Sequence, residues 1–424
     1  MKTHPLFHSL INFKGNARGC VYPEPLNAIP VNLYAPYVSV FMLALGVTDA
    51  QIGLTVSVSW AVQLVLAIFS GTITDKLGRR KATMIFDLVS YVIPALISAV
   101  AQNFWYFLGA AFFSSFIRIP QNSWMCLAVV DTDPDQLIDI FSWVYIAGLL
   151  SAFFAPIAGL LIKSLVLIHT MRILYDFAAI CFVAKAVITY RLTSETKQGL
   201  IRMQEMKNRS IFSDMGGYSR ILKQVLHTPK TLYTGGIMLI MSICMMINST
   251  FWSVIVTEKI KIAVYDISIF AFVHSLIMLL FYFLVSPRLK KYHYKIPMVL
   301  GFFGFALSQL LIILAPANGY IFLIISIVLE GCCLATLNPL VDQLIVLTIN
   351  AEERARIQSI LYVAVIVITT PFGWIAGNLS AVNKALPFIL NLVLFVIGGI
   401  LAWLAGREAQ SDQELPEVSL SRIG

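Results

Sequence analysis

Residues 71–81 read Gly71-Thr72-Ile73-Thr74-Asp75-Lys76-Leu77-Gly78-Arg79-Arg80-Lys81. Apolar runs close in on both sides, residues 50–70 before and 82–100 after. Two long apolar segments joined by so few residues must fold back on each other as a tight helical hairpin. Its two glycines permit the turn, because glycine takes positive φ without steric cost. Asp75 stands where the first helix ends, and cations follow at Lys76, Arg79, Arg80 and Lys81. Such a basic connection also orients a pair of membrane helices toward the cytoplasm. Charge by itself does not account for the aspartate and the paired glycines.

The composition extends this reading to the whole chain. Of 424 residues 58% are hydrophobic and only 12% are charged, where a soluble domain has about 25% charged. The mean hydropathy is +0.82. These values describe an all-α polytopic membrane protein. The formal charge of +8 implies no nucleic-acid partner, since cations serve as topology signals in such a chain. Six cysteines, Cys20, Cys126, Cys181, Cys244, Cys332 and Cys333, lie in or beside apolar runs without a C-x-x-C pair. That spacing argues against disulfides and zinc. His4 and His8 are the one histidine pair at metal spacing and read as an accident of the N-terminal tail. There is no phosphate-binding glycine loop, no G-x-S-x-G and no H-E-x-x-H, so neither an enzyme nor a cofactor is expected. Residues 1–22 lack the unbroken apolar stretch of a cleavable signal. Leu6, Leu10 and Phe13 share a helical face, which predicts an interfacial helix over 5–14.

Twelve apolar stretches are long enough to cross a bilayer. They run at about 24–46, 50–71, 82–101, 104–129, 137–162, 168–190, 231–255, 266–286, 296–315, 319–348, 357–378 and 384–405. With the N-terminus inside, the cytoplasmic segments carry 23 of the 30 Lys and Arg and the outer loops carry 4. The bias places both termini and the 71–81 hairpin in the cytoplasm. Residues 191–230 are the one long polar connection. They divide the chain into an N-terminal segment 1–23, a six-helix half 24–190, the linker, a second half 231–405 and a tail 406–424. Tyr218, Ile221, Leu222, Val225 and Leu226 predict a surface helix within the linker. The halves repeat each other faintly. Ser286-Pro287-Arg288-Leu289-Lys290-Lys291 stands where the opening hairpin stands, with its cations but without its glycines and aspartate. Asn122 and Asp135 on one side match Asn338 and Glu352 on the other, and both loops read as helix N-caps.

The pattern G-x-x-x-D-K-x-G-R-R over Gly71–Arg80, set between these spans, resembles the loop 2–3 signature of the major facilitator superfamily of transporters. The resemblance covers about residues 20–405. It implies twelve transmembrane helices in two pseudo-symmetric six-helix bundles that rock by alternating access about a midplane site. It further implies a monomer driven by an ion gradient, most often protons, with spans 1, 4, 7 and 10 lining the cavity. Arg118-Ile119-Pro120-Gln121-Asn122 resembles the R-x-x-Q-G signature of span 4 in facilitator antiporters, with Asn122 in place of the glycine.

A charge at the centre of a membrane helix costs about 2.5–3.5 kcal/mol on insertion scales, so intramembrane polar residues are the candidate site. Arg118, Gln121 and Asn122 on span 4 and Glu330 on span 10 lead. Asn32 and Tyr34 on span 1, between Pro30 and Pro36, and Asn248 on span 7 join them. A carboxylate out of water holds its proton more tightly and one beside an arginine less so, which lets a single site switch with conformation. Arg118 and Glu330 are therefore expected as electrostatic neighbours. Each of these residues has a purely structural alternative, a fixed interhelical pair or stitch. Arg172 and Asp176, four apart, are expected to satisfy each other. Glu24 reads as a residue at the inner boundary that snorkels, Asp87 and Lys185 as structural residues towards cytoplasmic ends, and His274 as a satisfied helix histidine. The hairpin is read as a gating motif of Gly71, Asp75, Lys76, Gly78, Arg79 and Arg80. Asp75 would meet the start of span 11 near Glu353–Gln358, and Arg79 or Arg80 would meet Asp131, Asp133 or Asp135. The expected function is a proton-coupled secondary transporter for a small organic solute in the plasma membrane of a bacterium, efflux ahead of uptake. Uptake of a sugar or other metabolite, and a non-transporting sensor or accessory protein on the same fold, are the alternatives.

Overall fold

The computed structural model describes residues 13–129, 132, 134–207, 229–285, 295–348 and 354–413; the side chains of 134–136, 138, 229–231, 342, 343, 345–348, 354–360 and 406–413 are outside the description. All regular structure among them is helical. Among the described residues eleven helices are long and apolar enough to cross a membrane. They are span 1 (Gly15–Ala44), span 2 (Asp49–Leu77), span 3 (Arg79–Ala99), span 5 (Asp139–Leu165), span 6 (Leu167–Leu192), span 7 (Leu232–Lys259), span 8 (Val264–Leu284), span 9 (Lys295–Leu314), span 10 (Tyr320–Val341), span 11 (Leu361–Val382) and span 12 (Leu386–Ala405). Span 4 completes twelve. It is built from Phe104–Ser114, a 3-10 turn at Ser115–Ile117 and Arg118–Val129, and it carries the polar stretch around Arg118. Large apolar side chains such as Ile321, Phe303 and Leu300 face outward, as a bilayer environment allows.

Local chemistry explains the ends. Thr48 and Gln51 form a reciprocal capping box that starts span 2. Asn103 Oδ1 accepts from Trp105 N to start span 4, and the helix of span 5 opens at Pro134, the position where a missing N–H costs nothing. The hairpin is tighter than the sequence indicated. Span 2 continues to Leu77 and span 3 resumes at Arg79, so Gly78 alone makes the turn, with φ of 83°. Gly71, Asp75 and Lys76 are helical rather than part of the turn. A Cβ on Gly71 would meet nothing within 4 Å, whereas one on Gly78 would lie 2.6 Å from Glu195 Oε2 and Met203 Sδ. Gly78→Ala is therefore expected to destabilise by about 1–2 kcal/mol. Gly71→Ala should be neutral or stabilise by up to about 1 kcal/mol. Thermal unfolding of the two variants in detergent checks this contrast.

A short helix, Gly15–Val21, precedes the main part of span 1. Phe13, Ala17 and Val21 pack with Ile140 of span 5, and Cys20 packs with Leu127 and Ala128 of span 4. The interfacial helix expected at 5–14 lies almost wholly outside the described residues, as do the linker helix expected at 218–226 and the second-half hairpin 286–294. The linker begins with an unforeseen helix, Lys197–Glu205, capped by Thr196.

Spans 1–6 and spans 7–12 form the two halves. The second half has its own aromatic core, in which Phe305 and Phe395 stack at 4.6 Å beside Phe302. A larger core joins the halves through Tyr37 and Phe41 of span 1 and Phe251 and Ile255 of span 7. Spans 2 and 11 and spans 5 and 8 meet along two seams. Tyr145 meets Tyr282 and Phe153 meets Phe272 on the second.

Candidate functional site

Where the two halves meet, spans 1, 7, 8 and 10 enclose a cavity of about 380 Å³. Asn32 and Pro36 wall it on one side, and Asn248, Trp252, His274 and Glu330 on the other. Pro30 and Pro36 bend span 1 here, with a 3-10 turn at Ala35–Tyr37; prolines are tolerated where a span lines a cavity. Three residues picked from sequence, Asn32, Asn248 and Glu330, thus share one space. Asn32 Nδ2 donates to Ala28 O at 2.8 Å and reaches Gly148 O of span 5 at 3.5 Å. What Asn32 offers a solute is therefore its Oδ1. Trp252 packs edge-on to Phe270 at 5.9 Å and supplies an aromatic wall.

Glu330 is 9% exposed. Its Oε1 accepts from Asn248 Nδ2 at 3.1 Å. Asn248 Oδ1 in turn accepts from Asn391 Nδ2 of span 12 at 3.0 Å, and Asn391 Nδ2 also reaches Gln309 Oε1 of span 9 at 3.4 Å. The carboxylate is held by one amide, which two further amides back, with no ion pair to it among the described residues. His274 is not the satisfied helix histidine expected from sequence. Its Nε2 is buried without a partner on the wall that carries Glu330.

Arg118 does not reach Glu330. Its Nη1 donates to Gln121 Oε1 at 3.3 Å within span 4, and it lines neither of the two described cavities. Its Nε is buried without a partner. Asn122 Nδ2 reaches Thr74 Oγ1 at 3.5 Å and stitches span 4 to span 2. Tyr34 points away from the cavity of Glu330, because Asn32 and Tyr34 lie two residues, about 200°, apart around a helix. It lines a second cavity of about 450 Å³ inside the first half with Asn27, Tyr91 and Tyr175, its ring 4.8 Å from that of Tyr175.

Below that second cavity Lys185 Nζ and Asp87 Oδ2 pair at 3.4 Å, their side chains 7% and 5% exposed. The ammonium lies 5.5 Å from the Tyr91 ring, and Glu24 is within electrostatic reach of both charges. The pairing expected between Arg172 and Asp176 is not formed. Arg172 Nη2 donates instead to Ala101 O in the loop between spans 3 and 4, at 3.4 Å, an acceptor that helix spacing does not reveal.

The end carrying the loop between spans 1 and 2 is closed. Lys384 pairs with Asp49 and Ser380 Oγ donates to the same carboxylate at 3.3 Å. Spans 2 and 11 then touch backbone to backbone through Gly53, Gly373 and Gly377. A Cβ on Gly377 would lie 2.6 Å from Asp49 O and 2.9 Å from Gly53 Cα. One turn further, Ser57 Oγ donates to Thr370 O at 2.6 Å and accepts from Trp374 N at 2.8 Å. A hydroxyl from one half thus sits in the hydrogen-bond ladder of the other, beside Pro371, where proline has already weakened the helix.

At the opposite end the hairpin cations hold the span 6–linker junction. Arg79 Nη1 donates to Thr196 Oγ1 at 2.7 Å, and Arg80 N donates to Glu195 Oε2 at 3.0 Å. Arg80 Nη2 donates to Tyr190 O at 2.7 Å, and its guanidinium lies 3.9 Å from the Tyr190 ring centre. Tyr190 ends the same half as the hairpin, and Glu195 and Thr196 open the linker. Asp131, Asp133 and Glu353 are outside the described residues, and so are the side chains of Asp135 and of 354–358.

The amides of Gln309 and Asn391 escaped attention in the sequence, although each interrupts an apolar span just as Asn248 does. Asp49, Ser57 and Lys384 gave no comparable signal, since charges near helix ends and single serines within a span are unremarkable until their partner is known.

The family model described as Major Facilitator Superfamily matches residues 26–255 and again 234–422. No curated protein matches the sequence. Among solved structures, the nucleoside transporter NupG superposes with a TM-score of 0.69 at 15% identity, covering 93% of this chain and 99% of its own. The POT family transporter PepTSo gives 0.71 at 10% identity, with 93% and 98% covered. A POT family transporter in complex with 5-aminolevulinic acid gives 0.60 at 15% identity, with 96% and 94% covered. At these identities the likeness concerns the fold.

Proposed function

This chain belongs to the major facilitator superfamily, a family of secondary transporters, and from that premise we propose that it moves a small organic solute by alternating access, coupled to protons. The observation that carries the coupling is Glu330. It is a buried carboxylate at the junction of the halves, held by an amide and facing the cavity with no cation beside it among the described residues. Such a group takes up or releases one proton when its surroundings change, at a cost the bilayer interior makes large. The solute is uncharged or amphipathic. Trp252 and Phe270 offer it an apolar aromatic wall, while Asn32 Oδ1 and His274 Nε2 offer hydrogen bonds. A volume of about 380 Å³ lies within the range of about 300–1,000 Å³ common for small-molecule sites. The nucleoside and 5-aminolevulinic acid handled by the structural neighbours are solutes of this scale.

The direction proposed is export against entering protons, on the resemblance of Arg118 and Gln121 to the antiporter signature. The charge bias of the loops supports cytoplasmic termini, and the setting is the plasma membrane of a bacterium. The closed end of spans 2 and 11 is then external. Solutes that raise the thermal stability of the purified protein would be taken into proteoliposomes with an imposed pH gradient. Wild-type protein should accumulate solute against its own gradient. Glu330→Gln should lose that accumulation by more than tenfold while still exchanging solute at equilibrium. Gradient-driven accumulation unchanged in Glu330→Gln would exclude the coupling role, and binding without flux would make the protein a sensor.

A further inference from the structure

The amides behind Glu330 form a chain with a direction. Asn391 presents only its NH₂ group, to Asn248 and to Gln309. Asn248 therefore turns its oxygen toward Asn391 and its NH₂ toward Glu330. In this sense of the chain the carboxyl group receives a hydrogen bond and gives none, which is what an ionised carboxylate needs. Two buried atoms are left over, Asn391 Oδ1 and Gln309 Nε2.

Those two atoms are the ones the reversed chain would use. With Glu330 protonated, its O–H donates to Asn248 Oδ1. The Asn248 NH₂ then donates to Asn391 Oδ1, and so does Gln309 Nε2. Each amide turns over by half a rotation, no helix has to move, and one proton is gained at Glu330. We propose that Asn391 and Gln309, neither of which lines the cavity, are positioning residues that set the protonation of Glu330 through this reversible chain of amides. The proposal rests on the reading of Glu330 as the proton-carrying group and adds the device that tunes it. The chain ties spans 7, 9, 10 and 12 together, so a proton on one span is felt as a change of hydrogen bonding on three others.

The groups around Glu330 make this chain its main polar contact. Span 1 brings Asn32 and span 8 brings His274 to the same cavity. Spans 9 and 12 contribute amides. Among the described residues the Cys333 thiol on its own span is within electrostatic reach of Glu330, and the other thiols on these elements are Cys332 on that span and Cys244 one turn before Asn248.

The test reads the proton directly. Infrared spectroscopy of the purified protein follows the C=O band of the protonated carboxyl group that disappears in Glu330→Gln. The pH at which that band is half lost is then compared among variants. In Asn391→Asp the new carboxylate accepts from the Asn248 NH₂ and turns the Asn248 oxygen toward Glu330. The midpoint should rise by about one pH unit or more. Asn391→Leu removes the lock and should raise it by a smaller amount, and Gln309→Leu by less again. Asn391→Asp is nearly isosteric, so it reports even where the leucine variants fail to fold. Unchanged midpoints in the folded variants, or no titration of Glu330 between about pH 4 and 10, would overturn the relay. If the midpoint moves but Glu330→Gln keeps full coupling, the relay stands and the coupling reading falls. If Glu330→Gln uncouples while the midpoint stays put, the reverse holds.

Discussion

Gly377→Val should nearly abolish transport while leaving a folded, soluble-in-detergent protein. The reason lies in what its side chain would meet. The atoms within 3.2 Å of a Cβ at this position are Asp49 O, Gly53 Cα and Ala50 Cα, all backbone. Backbone of a packed helix cannot swing aside as a side chain can, so spans 2 and 11 must separate. Forcing extra methyl groups into a closed contact costs about 1–3 kcal/mol, which is roughly 5- to 150-fold in the ratio of closed to open at that end. The cost falls on one conformation only, since the contact exists only where the two spans touch. Lys384–Asp49 and the Ser57 hydroxyl would be pulled apart by the same separation. A cysteine placed at Ser249 in the cavity, in a background without the native cysteines, gives the measurement. Labelling by a membrane-impermeant thiol reagent from the side of the loop between spans 1 and 2 should rise several-fold in Gly377→Val. Ser57→Ala adds no volume and removes the inserted hydroxyl, so it should shift labelling the same way but less. Unchanged labelling and transport in Gly377→Val would mean that this seam does not open during the cycle.

Lys185→Met should be the most destabilising single change in the first half. Removing one partner of a buried ion pair costs about 3–5 kcal/mol, because the other charge stays buried and unpaired. Here the loss is asymmetric. Without Lys185, two carboxylates, Asp87 and Glu24, face each other in a low dielectric. Without the Asp87 charge, Lys185 still has Glu24 within reach. Asp87→Asn should therefore cost less than Lys185→Met, by about 1 kcal/mol or more. Asp87→Asn combined with Lys185→Met should not recover fully, since Glu24 remains. Adding Glu24→Gln should restore most of the loss, as replacing a whole buried charge set with neutral groups is often close to neutral. Thermal unfolding of the four variants in detergent measures the order. Equal costs for both single changes would show that Glu24 plays no part in the cluster.

Much of this protein was legible in its sequence because a bilayer writes its demands into composition. A span needs about 20 apolar residues whatever its neighbours, so the twelve spans could be counted directly, even span 4 with its intramembrane arginine. Amides and carboxylates inside apolar runs are costly enough to stand out. That cost is why Asn32, Asn248 and Glu330 were found before their shared cavity was. The tight turn between spans 2 and 3 was foretold by its glycines, though only the structure separated Gly78, which makes the turn, from Gly71, which does not.

What remained hidden is relational. Arg118 and Glu330 were expected together because both are charged and lie on related spans. The helices instead give Arg118 its own Gln121 and give Glu330 a row of amides. Tyr34 and Asn32 sit two residues apart, yet a helix turns them into different cavities. The cations after Gly78 carry the signature that decided the fold, but their partners Tyr190, Glu195 and Thr196 come from more than a hundred residues away. A sequence states which groups must be hidden from lipid and leaves open which other groups will hide them. Ser57 in the hydrogen-bond ladder of span 11 and Asn391 behind Asn248 belong to that second kind of fact. Both are small polar side chains whose meaning is set by the helix packed opposite, and only the tertiary structure supplies that helix.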